Sequence, residues 1–337
     1  MLQLNEVPAL IGVLALMAYA VLAGADFGAG VWDLLAWGPK AKEQRKTISN
    51  AIGPVWEANH VWLIFIIVLL FTCYPRAFSA LSISLFVPFH LALLGIVLRG
   101  ASFVFRAYAP ERSRFASFWG SVFGSASLFT PFVLGMCMGA ISAGSIRQMG
   151  SKVTSDVSVW TNPSSVVMGL MALFEAAYLA AVYLTLESPD KDLQESFRIR
   201  ALVSGFIFAA VSLGALPVFA VYAPHLWKRL LAPSVVPIVF LGIIVGLVSA
   251  AALFFRKYWI ARISAAGQVV ILLLGWAIAQ RPYIIYPDFT IANSSASEAT
   301  LRFVIWSVPI GMLILIPSLA VLFAVFKGRG RTLSNYG

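Results

Sequence analysis

The residues able to do chemistry in this chain are ionisable groups set inside long apolar runs. Asp26 and Asp33 lie seven positions apart in the first run, a spacing that puts both on one face of a helix. The second run opens with Trp56, Glu57, Asn59 and His60; Glu57 and His60, three apart, share a helix face. The third carries His90 and Arg99, and the fifth Glu175. A charge in lipid costs about 2.5–3.5 kcal/mol on insertion scales, so each needs a partner or a role. Asp33, Glu57, His60 and Asp26 together make a ladder of titratable groups from one membrane face towards the interior, which is what a proton relay requires. The competing account is structural: an Arg99–Glu57 ion pair tying two helices, with Asp33 reaching for the interface.

Other chemistries find less support. Bis-histidine haem ligation needs two imidazoles at one depth; His60 falls near the end of its run and His90 near the middle of its own. Cys73 and Cys137, the two cysteines, lie in or beside apolar runs and read as packing residues. No P-loop, dinucleotide fingerprint, Ser–His–Asp set or metal-ligand spacing appears. Gly24 and Gly28 form a G-x-x-x-G step, a signal for close helix packing.

The elements that must hold these groups are transmembrane helices. Of the 337 residues, 60% are hydrophobic and 11% charged, where soluble chains carry about 25% charged residues. About 20 apolar residues span the hydrocarbon, and nine runs qualify: 7–37, 55–74, 81–105, 118–143, 164–186, 201–222, 235–255, 260–279 and 301–326. They are far too long for barrel strands, so an all-α integral membrane protein is expected. The first eight residues contain no Lys or Arg, so the leading run is expected to stay as a helix rather than to be cleaved as a signal.

The net charge of +10 comes from short loops beside the runs and argues for membrane topology, not for nucleic acid. Sixteen Lys and Arg fall on one side and six on the other, which places the first side, with the C-terminus, in the cytoplasm and the N-terminus outside. The first and fifth runs point the same way and each holds an acid, Asp26 or Glu175. That suggests two four-helix bundles, residues 1–145 and 160–280, with a ninth helix and tail over 300–337.

Three stretches resemble one family. Gly24-Ala25-Asp26-Phe27-Gly28-Ala29-Gly30, then Ala51 to Ile64 with Gly53-Pro54-Val55-Trp56-Glu57-Ala58-Asn59-His60, then Gly95 to Gly100 with Arg99 are similar to subunit II of bacterial cytochrome bd-type quinol oxidases. Ala279 to Tyr283 and Pro287-Asp288 extend the likeness, which covers essentially the whole chain. The resemblance implies a subunit of the bacterial inner membrane built as two four-helix bundles plus one helix. Its complex oxidises quinol at the outer face and reduces oxygen to water with cytoplasmic protons. It places haems b and d in a partner, subunit I, with none held by this chain's own ligands. It assigns Glu57 to a cytoplasmic proton path and matches Asp26 and Arg99 to motif positions. The Trp-Glu-Ala-Asn-His form looks closer to the cyanide-insensitive branch, for which the partner's haems would be b alone. A structural quinone, a small accessory subunit and membrane lipids are further partners the resemblance admits, with no residues assigned to them here. The alternative is a proton-coupled secondary transporter, against which Pro217, Pro309 and Pro317 lack counterparts in matching places of the two halves.

Overall fold

A computed structural model describes residues 3–52, 56–110 and 113–332, with the side chains of 56–58, 107, 323 and 325–332 outside the described set. The order is α1 (Glu6–Leu34), α2 (Ala41–Ile52), α3 (Trp56–Cys73), α4 (Pro75–Ser84), α5 (Phe86–Tyr108) and α6 (Arg114–Ala143). Then come a hairpin of β1 (Gln148–Met149) and β2 (Lys152–Val153), α7 (Ser158–Thr161), α8 (Pro163–Glu187), α9 (Lys191–Tyr222) and α10 (Pro224–Leu230). The chain closes with α11 (Val236–Phe254), α12 (Tyr258–Gln280), a second hairpin of β3 (Tyr283–Ile285) and β4 (Phe289–Thr290), α13 (Ile291–Ser294) and α14 (Glu298–Thr332).

The nine apolar runs correspond to α1, α3, α5, α6, α8, α9, α11, α12 and α14, and eight of them are long and apolar enough over their described residues to cross a membrane. The ninth, α3, is 18 residues long, a length of about 27 Å at 1.5 Å per residue. Boundaries differ where polar chemistry decides them. The third run breaks at Leu85, and its first residues finish α4. Helix α9 begins ten residues before the apolar run, because the Asp190 carboxylate accepts from the amides of Asp192 and Leu193 and starts the helix in its polar stretch. The sequence reading has no counterpart for α2. Its Gln44, Thr47, Ile48 and Ile52 are buried, one stripe at helical spacing, and it packs along α1 and α8.

Helix α8 is the axis of the fold, packing on α1, α6, α9 and α12. Small residues let it do so. A Cβ on Gly28 would lie 1.8 Å from the Ala176 carbonyl oxygen, so α1 and α8 meet backbone to backbone there. Between α6 and α8 a Cβ on Gly135 would fall 2.8 Å from the Cα of Gly169. The first and second halves of the chain therefore meet in a seam along α8. None of the apolar window of α14 is buried within the chain.

The loops sort by charge. At one end, hereafter the basic end, Lys40 bonds Asp192 at 2.7 Å, and Arg198, Arg256 and Arg262 pair with Glu195 or Glu187. The opposite end carries the two hairpins, where Arg147 holds Asp288 at 3.1 Å, Tyr74 donates to the Asn5 carbonyl and Arg281 pairs with Glu6.

A candidate proton site between the first helices

Two rungs join α1 to its neighbours, because the seven-residue step from Asp26 to Asp33 on α1 is matched by the step from Arg99 to Arg106 on α5. At the inner rung, Asn59 of α3 donates from Nδ2 to the Asp26 carboxylate in a short contact. Arg99 is 1% exposed. Its Nη2 donates to the Asp26 backbone carbonyl at 3.0 Å and its Nε to Ser127 Oγ at 3.2 Å. Ser127 in turn donates to the Phe123 carbonyl at 2.7 Å. The guanidinium also lies over the rings of Phe27 and Phe123, 5.2 and 5.3 Å from their centroids. The described contacts of this buried cation are thus to neutral acceptors and ring faces.

At the outer rung, Asp33 is 3% exposed, and Arg106 Nη1 donates to its Oδ2 at 2.6 Å. Arg45 donates to the Asp33 and Ala36 carbonyls, closing the C-terminus of α1. Asp33 is thus a buried, paired acid. A cavity of about 150 Å³ at this level is lined by Asp33, Ile48, Ser49, Ile52, Phe103, Arg106 and Phe123. It reaches Phe123, on whose ring Arg99 rests.

His60 is half-buried, its ring 6.0 Å from Tyr19 and 5.8 Å edge-on from Phe27 by centroids. The side chains of Trp56 and Glu57 lie outside the described residues, so the expected Glu57–Arg99 pair does too. His90 is exposed and bonds through Nδ1 to the Phe86 carbonyl of its own helix at 2.7 Å. His225 stacks on Tyr286 near the opposite end. The three imidazoles have separate surroundings. Among the described residues no three His, Cys, Asp or Glu side chains converge as a metal site. Both cysteines are free and buried.

The helix-packing glycines differ. Gly28 is pressed against α8, whereas a Cβ on Gly24 would meet only Leu179 Cδ2 at 3.8 Å. Glu175, one residue before the Ala176 that faces Gly28, has both carboxyl oxygens buried without a hydrogen-bond partner among the described residues.

Sequence reasoning did not assign Arg106, Ser127 or Tyr19 to this site. Tyr19 stands seven residues before Asp26 and Arg106 seven after Arg99, so a repeated heptad step was the available signal for both. Ser127 gives none, since a serine in an apolar helix is common.

Among the described residues, eight helices long and apolar enough to cross a membrane and the shorter α3, with a half-buried acid, a buried amide and a buried guanidinium brought together from α1, α3 and α5, define a polytopic membrane subunit with an ionisable intramembrane site. The family model for cytochrome bd terminal oxidase subunit II matches residues 4–326, and the chain belongs to that family. It is therefore a multi-pass inner-membrane protein and part of an oxidoreductase complex whose other principal component is a subunit I. Among relatives, the cytochrome bd ubiquinol oxidase subunit 2 of Bacillus subtilis is 25% identical over 312 residues, covering 90% of this chain and 89% of the relative. A putative cytochrome bd menaquinol oxidase subunit II of the same organism is 23% identical over 323 residues, covering 91% of each. The solved bd oxidase from Geobacillus thermodenitrificans includes a chain of the same fold, with a TM-score of 0.81, 22% identity, and coverage of 96% of this chain and 99% of that one.

Proposed function

We propose that this chain, together with a haem-bearing subunit I, oxidises quinol and reduces oxygen to water, and that its first helices bring protons from the cytoplasm for that reduction. The observation that carries the reading is the inner rung: Asp26, held by Asn59 and flanked by the buried Arg99, near the basic end. Asp26 lies eight residues from the end of α1, or about 12 Å along the axis, a distance a few waters can bridge. The excess of Lys and Arg at that end supports its assignment to the cytoplasm, with the N-terminus outside.

Haems b and d, or b alone, belong in this reading to subunit I and supply the electron transfer and oxygen chemistry. This chain's residues hold and pass protons. The Asp26 carboxylate accepts a proton from the basic end and releases it inward. Asn59 orients the carboxylate, and Arg99 supplies a fixed positive charge that is not itself titrated. Glu57, one turn from His60 at the start of α3, and Asp33, near the end of α1, belong to the same path on the basic-end side of Asp26. The family places this chain in an oxidase, which displaces the alternative of a proton-coupled secondary transporter. A structural quinone and a small accessory subunit remain compatible with the apolar outer surfaces of α3, α5 and α14, and nucleic acid is no partner.

The test is the complex of both subunits carrying Glu57→Gln, assayed for oxygen consumption with a soluble quinol and for haem content. Turnover is expected to fall by about tenfold or more with haem retained. Loss of haem together with turnover would make Glu57 structural, and unchanged turnover would remove it from the path.

A further inference from the structure

Asp26 has a second neighbour besides the rung. A narrow crevice of about 50 Å³ runs between α1, α2, α8 and α12, with Asp26 among its lining residues and Glu187 and Arg262 at its other end. That volume accommodates a few waters. The two end groups pair at 3.5 Å and are a third and a quarter exposed, so they stand where the crevice meets the solvent of the basic end. Arg262 also lies over the Tyr183 ring, 4.5 Å from its centroid. The walls also include Ala25, Ala29, Ala51 and Ala180.

The placement along α8 gives the crevice its direction. Glu187, Tyr183 and Ala180 fall on one face at steps of four and three residues. Ala176, the residue packed on Gly28, lies eleven residues before Glu187, so the mouth is displaced from the level of that contact by about 16 Å along the helix. An apolar seam could have closed around larger side chains; here alanines leave room beside Asp26. The cavity of about 150 Å³ beside Asp33 reaches Phe123 and does not have Asp26 among its lining residues.

We propose that the proton entrance to Asp26 is this crevice, with Glu187 as the proton-collecting carboxylate at its mouth and Arg262 as the positioning group that holds it there. The proposal rests on Asp26 being on the proton path. In each step one O–H bond forms as another breaks. Bulk water protonates the Glu187 carboxylate, which passes the proton to crevice water, and that water protonates Asp26; Glu187 returns to its carboxylate form. The titratable or charged groups lining the crevice are Asp26 from α1, Tyr183 and Glu187 from α8 and Arg262 from α12; α2 contributes Ala51 and Ile52. The entrance therefore belongs to the second half of the chain while the acid it serves belongs to the first, so the seam along α8 is functional as well as structural.

The test uses the two-subunit complex in inside-out vesicles with Ala51→Cys as the probe, since the native Cys73 and Cys137 are buried. A small charged methanethiosulfonate reagent is added, and quinol oxidase turnover is read on the same sample before modification, after it and after reduction of the adduct. Modification with loss of turnover by about tenfold, reversed by reduction, is the expected result, with a similar loss in Glu187→Gln at unchanged haem content. A cysteine that the reagent does not reach, or one modified without loss of turnover, overturns the entrance. Asp26→Asn measured in parallel separates the two ideas. If it slows turnover while the blocked crevice does not, the path through Asp26 stands and this entrance falls; if it leaves turnover unchanged, the underlying reading falls.

Discussion

Two glycines four residues apart on one helix offer an internally controlled perturbation. In Gly28→Ala the new Cβ would sit 1.8 Å from the Ala176 carbonyl oxygen and 2.4 Å from its carbon, against a normal carbon–oxygen contact of roughly 3.3 Å. Helices α1 and α8 must therefore part by about 1.5 Å at the crossing. Such overpacking costs about 1–3 kcal/mol. The separation also strains the 2.7 Å bond from Trp32 Nε1 to the Ala177 carbonyl, worth about 1 kcal/mol, so the expected loss is about 2–4 kcal/mol. In Gly24→Ala the Cβ meets Leu179 Cδ2 at an ordinary 3.8 Å, and the substitution is expected to be neutral or slightly stabilising through helix propensity. The assay is thermal unfolding of the purified complex, wild type against each variant, with haem content measured alongside. Equal effects at the two positions, or a larger one at Gly24, would refute the backbone-to-backbone contact at Gly28.

Further outcomes follow from other parts of the molecule. Arg106→Gln leaves the buried Asp33 carboxylate without its cation and is expected to destabilise by about 1–3 kcal/mol, below the figure for a fully buried pair because Arg106 is partly exposed; adding Asp33→Asn should recover part of that loss in a double-mutant cycle. Glu175→Gln keeps the shape of a carboxyl that has no hydrogen-bond partner among the described residues, and thermal stability should be unchanged or raised; a loss above about 1 kcal/mol would overturn that expectation. His225 is held below the ordinary histidine range first by partial burial and then by Arg229 and Lys228. Its protonation is thus disfavoured in the fold, so its neutral form costs nothing above about pH 6.5 and stability is lost as pH falls below that. His225→Phe, which keeps an aromatic ring against Tyr286, should flatten that acid slope in unfolding measured over about pH 5 to 8.

The sequence exposes this fold through the cost of putting polar groups in lipid. Nine apolar runs can only be helices there, and Asp26 and Arg99 stand out because a charge in such a run demands an explanation. What it conceals is partner choice and local amphipathic structure. Asp33 looks like a residue reaching for the interface until Arg106 is seen one heptad beyond Arg99. Helix α2 hides in a loop whose polar residues mask four buried positions. Gly24 and Gly28 are equivalent in a motif, and only the side from which α8 approaches separates them. Arg262 counts in the sequence only as one of the basic residues that set topology, and Glu187 gives no signal, because their contact depends on how α8 and α12 pack.

The most direct test of the proton account follows proton uptake itself. The fully reduced two-subunit complex, wild type and Asp26→Asn, is mixed with oxygen in the presence of a pH-indicator dye, with haem content verified on both. The account predicts that Asp26→Asn takes up protons slower by about tenfold or more, with haem retained. Uptake at the wild-type rate in a variant of intact haem content would contradict it and leave this subunit as a scaffold.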